Sequence, residues 1–135
     1  MALQFSTAVR NAELDAIEAT IGTSAVLKIR TGAAPANVAT ADSGTVLATL
    51  SLPSDWMAAA SGGAKALNGT WQDSSADATG TAAHFRIYAS DGTTAHIQGT
   101  VTATGGGGDM TVDNTSFASG QSFTITTFTL TAGNA

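Results

Sequence analysis

The chain reads as mainly β: an antiparallel β-sandwich, jelly-roll-like and of about seven or eight strands, preceded by one N-terminal α-helix. Three observations predict this. The hydrophobic period changes at Gly22, from helical spacing over Ser6 to Ile21 to short alternating segments beyond it. Turn signals then recur about every ten residues. Charged residues make up 11% of the 135-residue chain, against about 25% in an ordinary soluble domain, and Thr, Ser, Ala and Gly take their place. The length suits one domain with its own core. It divides into a helix over residues 1–22, a possible assembly element, and a sandwich over residues 23–135.

Ser6 or Thr7 suits the helix N-cap and Gly22 its C-terminal stop. Neither cap has Glu or Gln three residues on, so there is no capping box. At about 100° per residue, Leu14, Ile17 and Ile21 share one face. Ala8, Val9, Ala12, Ala16 and Ala19 fall roughly opposite, with Glu13, Asp15 and Glu18 between. Docking onto one sheet needs only the first stripe. The second, through Val9, Ala12, Ala16 and Ala19, either meets another subunit or reflects the helix propensity of alanine.

Ala25 to Arg30 alternates, Leu27 and Ile29 against Lys28 and Arg30, and reads as a strand. Residues 31–44 (TGAAPANVATADSG) read as a long exposed loop, and Thr45 to Leu52 as a second strand ended by Pro53. Lys65 to Trp71 is the expected third strand, followed by polar loop over residues 72–81. Trp56 and Trp71 are expected as core anchors rather than sugar platforms. A hairpin is expected across Ser90-Asp91-Gly92, with a three-residue turn and a G1 bulge. That register pairs Ile87 with Ala95 and Phe85 with Ile97, and sets Arg86 opposite His96. Gly105 to Gly108 break the chain before a strand at Met110 to Val112. Over Ser122 to Thr131 the apolar phase slips by one between Thr126 and Thr127, the mark of a bulge or bend.

Composition excludes several function classes. The five cations (Arg10, Lys28, Arg30, Lys65 and Arg86) are scattered and net charge is −5, so no nucleic-acid partner is expected. No stretch approaches the roughly 20 apolar residues of a membrane span, and the N-terminus is not a signal peptide. Without that signal, the glycosylation patterns at Asn68 and Asn114 are chance matches. There is no cysteine, hence no disulfide.

One cluster has the residue types of a binding face: His84, Arg86, Tyr88, His96 and Gln98. Tyr, Arg and Gln supply stacking and forked hydrogen bonds to a carbohydrate or a protein; the plain alternative is the solvent face of a sheet. Two histidines beside a fixed cation make a poor metal site, so neither metal nor cofactor is expected. No G-x-S-x-G occurs and neither histidine has an evident acid partner. Asp109 and Asp113 are an unpersuasive carboxylate pair at a strand edge. The GGGGD run lacks the Lys-Ser/Thr of a phosphate loop and misses the calcium-repeat spacing. Its glycines are expected to allow a sharp turn or a close approach. No catalytic residue is therefore assigned.

Four runs together carry a resemblance: ALQFSTAVRNAELDAIEATIG, LPSDWMAAASGGAKALNGTW, HFRIYASDGTTAHIQGTVTATGGGGDMTVDN and the closing FTLTAGNA. They resemble small proteins encoded among the structural genes of tailed bacteriophages. The resemblance covers most of the chain. It implies a non-enzymatic virion component, made in the host cytoplasm, that contacts capsid or tail proteins as a homo-oligomer. A head decoration protein is the first expectation and a collar, tail or fibre accessory the second. A module binding host-surface glycan through the 84–98 hairpin is the alternative from another class.

Overall fold

The computed structural model describes residues 2–133; Met1, Asn134 and Ala135, including the last two positions of the expected 23–135 unit and of FTLTAGNA, lie outside the described residues. Helix α1 runs Thr7–Ile21. Ser6 caps it, its hydroxyl accepting from Val9 N at 3.2 Å, and Gly22 ends it at φ 91°. The strands are β1 (Val26–Arg30), β2 (Val46–Ser51), β3 (Ala64–Ala66), β4 (Trp71–Asp73), β5 (Gly80–Thr81), β6 (His84–Tyr88), β7 (Ala95–Ala103), β8 (Met110–Val112), β9 (Ser116–Phe117), β10 (Phe123–Ile125) and β11 (Thr129–Thr131).

The architecture is mainly β with one helix. Five strands form a curled half-barrel in the order β2-β1-β6-β7-β8, and three two-stranded ribbons (β10-β4, β11-β3 and β5-β9) accompany it. The core is filled by Leu27, Ile29, Leu47, Leu50, Ile87 and an aromatic chain. In that chain Trp56 lies 6.0 Å from Trp71, and Phe128 stands 5.6 Å from both Trp71 and Phe85. Both tryptophans are fully buried, as expected of anchors. Their indole N–H groups donate to Gly22 O at 2.9 Å and to Trp56 O at 3.1 Å, satisfying the one polar atom that each brings inside.

The sheet is not wholly antiparallel: β7 and β8 run parallel. Parallel neighbours ordinarily need a crossover of a dozen or more residues, yet residues 104–109 join these two. The glycine run makes this possible. The chain turns at Gly105 (φ 87°) and Gly107 (φ 80°) and folds back over Thr102. A Cβ on Gly106 would stand 2.7 Å from Thr102 Cβ, and one on Gly108 3.0 Å from Thr102 N.

Three local expectations change. Lys65 to Trp71 is two strands, β3 and β4, in different ribbons, because the chain turns at Gly69 (φ 72°) between them. The phase slip near Thr126 marks a change of partner: β10 pairs with β4, and β11 with β3. In the 84–103 hairpin, Ile87 faces Ile97 and Arg86 faces Gln98, not Ala95 and His96. Asp91 Oδ1 accepts from the backbone N–H groups of both Thr93 and Thr94, each at 2.9 Å. The closing bond is then Ala89 N to Thr94 O, which makes the loop a residue longer. A bulge at Ile87/Tyr88 shifts the pairing again.

Candidate functional site

Strand β6 is central, between β1 and β7, and its alternation gives two chemically different faces. Phe85 and Ile87 enter the core. His84, Arg86 and Tyr88 point the other way, yet all five residues are buried. The cover is the segment 31–44, which crosses this face as a strap instead of standing free in solvent. Its neck is closed by Thr31 N to Thr45 O at 3.1 Å and Thr45 N to Thr31 Oγ1 at 2.9 Å.

Asp42 holds the strap down. Its carboxylate accepts from Arg30 Nη2 at 2.8 Å, Arg86 Nη1 at 2.9 Å and Tyr88 OH at 2.7 Å. Gln98 Nε2 donates to Pro35 O at 2.8 Å, Arg86 Nη2 to Asn37 O at 3.1 Å and His84 Nδ1 to Gly32 O at 2.7 Å. A carbonyl only accepts, so Nδ1 is the protonated ring nitrogen of His84. Gln98 Oε1 in turn receives Arg86 Nη2 at 2.9 Å. Burial opposes the charge on Asp42, but the Tyr88 hydrogen bond and the two guanidiniums outweigh it and lower its pKa. Tyr88 is raised, by burial first and then by its bond to the carboxylate.

His84, Arg86, Tyr88 and Gln98 therefore do come together, but as the floor beneath a strap. His96 does not join them. It falls at the bulge and is exposed. The site also contains two residues that sequence reasoning missed, Arg30 in the floor and Asp42 on the strap. Arg30 was legible as a same-face neighbour in β1. For Asp42 the one signal is that it is the sole acid between Glu18 and Asp55.

A second polar cluster joins α1 to the ribbons. Asn11, Asp15 and Glu18 line up along the helix and accept from the backbone N–H groups of Gly63 (2.9 Å), Ala60 (3.0 Å) and Met57 (3.2 Å). Lys65 lies beneath them, its side chain 2% exposed, with Asp15 at 2.7 Å, Glu18 at 2.8 Å and Ala58 O at 2.9 Å. All three ammonium protons have an acceptor. Burial works against the charge, but the bonds to Asp15 and Glu18 outweigh it, and the pKa is raised. Hydrogen bonds from Lys65 and Ala60 lower that of Asp15. A protonated, fully bonded lysine is a structural tie and a poor nucleophile or base. It lies at the edge of an open groove of about 510 Å³ bordered by Ala19, Asp55 and Met57.

The docked face of α1 is thus part apolar (Leu14 and Ile21 buried, Ile17 half-buried) and part polar. Asp15 and Glu18, expected between the stripes, face the domain. The stripe of Val9, Ala12, Ala16 and Ala19 is exposed, Val9 at 43%. The carboxylate pair weighed on β8 does not form: Asp109 accepts from Thr100 N at 2.9 Å, while Asp113 is exposed.

Among the described residues, no group of three or more His, Cys, Asp or Glu is placed to hold a metal ion, and no helix is long and apolar enough to cross a membrane. Fold and clusters together define a small β protein whose buried charges tie a helix and a strap to its sheets. Comparison with protein-family models, curated proteins and solved structures gave no match.

Proposed function

We propose that this protein is a non-enzymatic structural component of a tailed-bacteriophage virion, acting through protein–protein contacts as a homo-oligomer. Capsid decoration is the placement we favour; a collar, tail or fibre accessory rests on the same physics. The observation that carries the reading is the outer face of α1. Val9, Ala12, Ala16 and Ala19 are exposed on a helix whose opposite face is tied to the domain by Lys65, Asp15, Glu18 and Trp56. Small side chains on a held helix let another backbone approach closely, with little ordering entropy lost and no charge to dehydrate. We read the half-barrel and the ribbons facing it as a sandwich-like body, in keeping with the jelly-roll expectation. The polar row draws no glycan-binding support from its position under the strap.

The test is substitution rather than deletion, since removing α1 would strip Lys65 of two carboxylates. Ala12→Arg with Ala16→Arg places two cations on the outer face. The wild-type protein should form a closed oligomer by light scattering and appear on phage particles by electron microscopy. The double variant should keep its circular dichroism spectrum and lose both. A wild-type monomer that leaves phage heads and tails bare overturns the proposal.

A further inference from the structure

The floor beneath the strap has more capacity for negative charge than Asp42 supplies. Two guanidiniums, with side chains 8% and 2% exposed, share one carboxylate. Arg30 Nε, a donor, is buried and has no hydrogen-bond partner. Arg86 is also met by Gln98 Oε1 and Asn37 O, so the spare donor is that of Arg30; forked guanidinium donors with a hydroxyl alongside are how proteins hold an oxyanion.

The cover over this floor is held by polar contacts. No residue from 31 to 45 is buried, so the strap contributes nothing to the apolar core. The Asp42 side chain is 36% exposed, and its carboxylate is therefore within reach of solvent. The neck at Thr31 and Thr45 closes through bonds that do not involve Asp42, so lifting the strap leaves its ends in place. Segments with few buried apolar contacts open at the low end of a protein's stability range.

We propose that Arg30, Arg86 and Tyr88 form a carboxylate-binding site that the chain fills with its own Asp42, and that an outside carboxylate enters when the strap lifts. The incoming group takes the bonds that Asp42 now makes, two from guanidiniums and one from the phenol. Its source is either a free small carboxylate or an Asp or Glu side chain of a neighbouring protein. The tether keeps Asp42 at high effective concentration, so an outside ligand competes only weakly with it.

Hydrogen exchange on the wild-type protein tests entry, with acetate and N-acetyl-aspartate amide as probes and chloride at equal ionic strength as control. The amides of Ala39 and Thr40 are followed, since both bond to Asn37, which Arg86 holds. For a site of about 10 mM affinity, 100 mM ligand raises the open population about ten-fold and speeds exchange by that factor. Equal acceleration by the two carboxylates means the site reads the carboxylate alone; acceleration by the aspartate derivative only assigns it to a protein side chain. Chloride should do nothing.

Asp42→Ala and the milder Asp42→Ser test the site directly. Each should gain about 5 °C in Tm in 100 mM acetate over chloride, and adding Tyr88→Phe should reduce that gain. If Asp42→Ala is unfolded, its acetate-dependent recovery of β-type circular dichroism is the same readout. A wild-type strap unmoved by either carboxylate overturns entry. Variants with equal Tm in both salts overturn the site.

Discussion

Lys65→Met isolates what the buried ammonium does. Methionine keeps most of the stem volume and removes the charge. The change leaves Ala58 O without its Lys65 donor and two carboxylates without their cation. The Asp15 side chain is 49% exposed and rehydrates, so little of the loss falls on it. Glu18, at 19%, and the Ala58 carbonyl rehydrate less well, and each unmet group costs about 1–2 kcal/mol. The sum is about 3 kcal/mol. A chain of this length unfolds with an entropy near about 0.28 kcal/mol/K, so Tm should fall by about 10 °C. Thermal melts followed at 222 nm, checked by urea titration, measure it. Glu18→Gln added to Lys65→Met should cost less than the sum of the two single changes, with a coupling of about 1 kcal/mol. A Lys65→Met protein that melts within about 2 °C of wild type refutes the reasoning, because the ammonium would then be as replaceable as an exposed one.

Two further outcomes follow from the geometry. The pKa of Asp42 is lowered in the folded protein, so its contribution is complete above the ordinary carboxylate range and is lost as pH falls through the depressed value. Asp42→Asn should cost about 2–4 kcal/mol at pH 7, and urea midpoints of variant and wild type should converge below about pH 4. A gap that stays constant to pH 2.5 contradicts the strap chemistry, in which Arg30, Arg86 and Tyr88 face the carboxylate while Lys28 lies over the Tyr88 ring, 5.1 Å from its centroid. Gly108→Ala drives a Cβ to 2.8 Å from Thr102 Oγ1 and should destabilise by about 1–3 kcal/mol, read by the same melts. Gly133→Ala, with open space around the position, is the control.

The helix and its caps were legible because Ser6, Gly22 and the Leu14/Ile17/Ile21 spacing act within a few residues of one another. Strands β1, β2 and β8 were legible for the same reason. The hairpin's place was readable from Asp91-Gly92 but not its register, since the Asp91 side chain lengthens the loop and a bulge then moves His96 out of the row. Lys65 read as one residue of an ordinary strand. Its burial depends on carboxylates fifty and forty-seven positions earlier in the chain.

By itself, then, the sequence determined the class of the fold, the helix with both ends, the tryptophan anchors and the purpose of the glycine run. Each follows from backbone sterics or from a period that neighbouring residues express together. Tertiary structure alone decided that residues 31–44 lie as a strap, that Asp42 meets Arg30 and Arg86, and that β7 and β8 run parallel. Alternation records which residues share a face of β6, and it is silent on what covers that face. The cover is chosen by charge pairing across long sequence separations, where a single aspartate leaves no periodic trace.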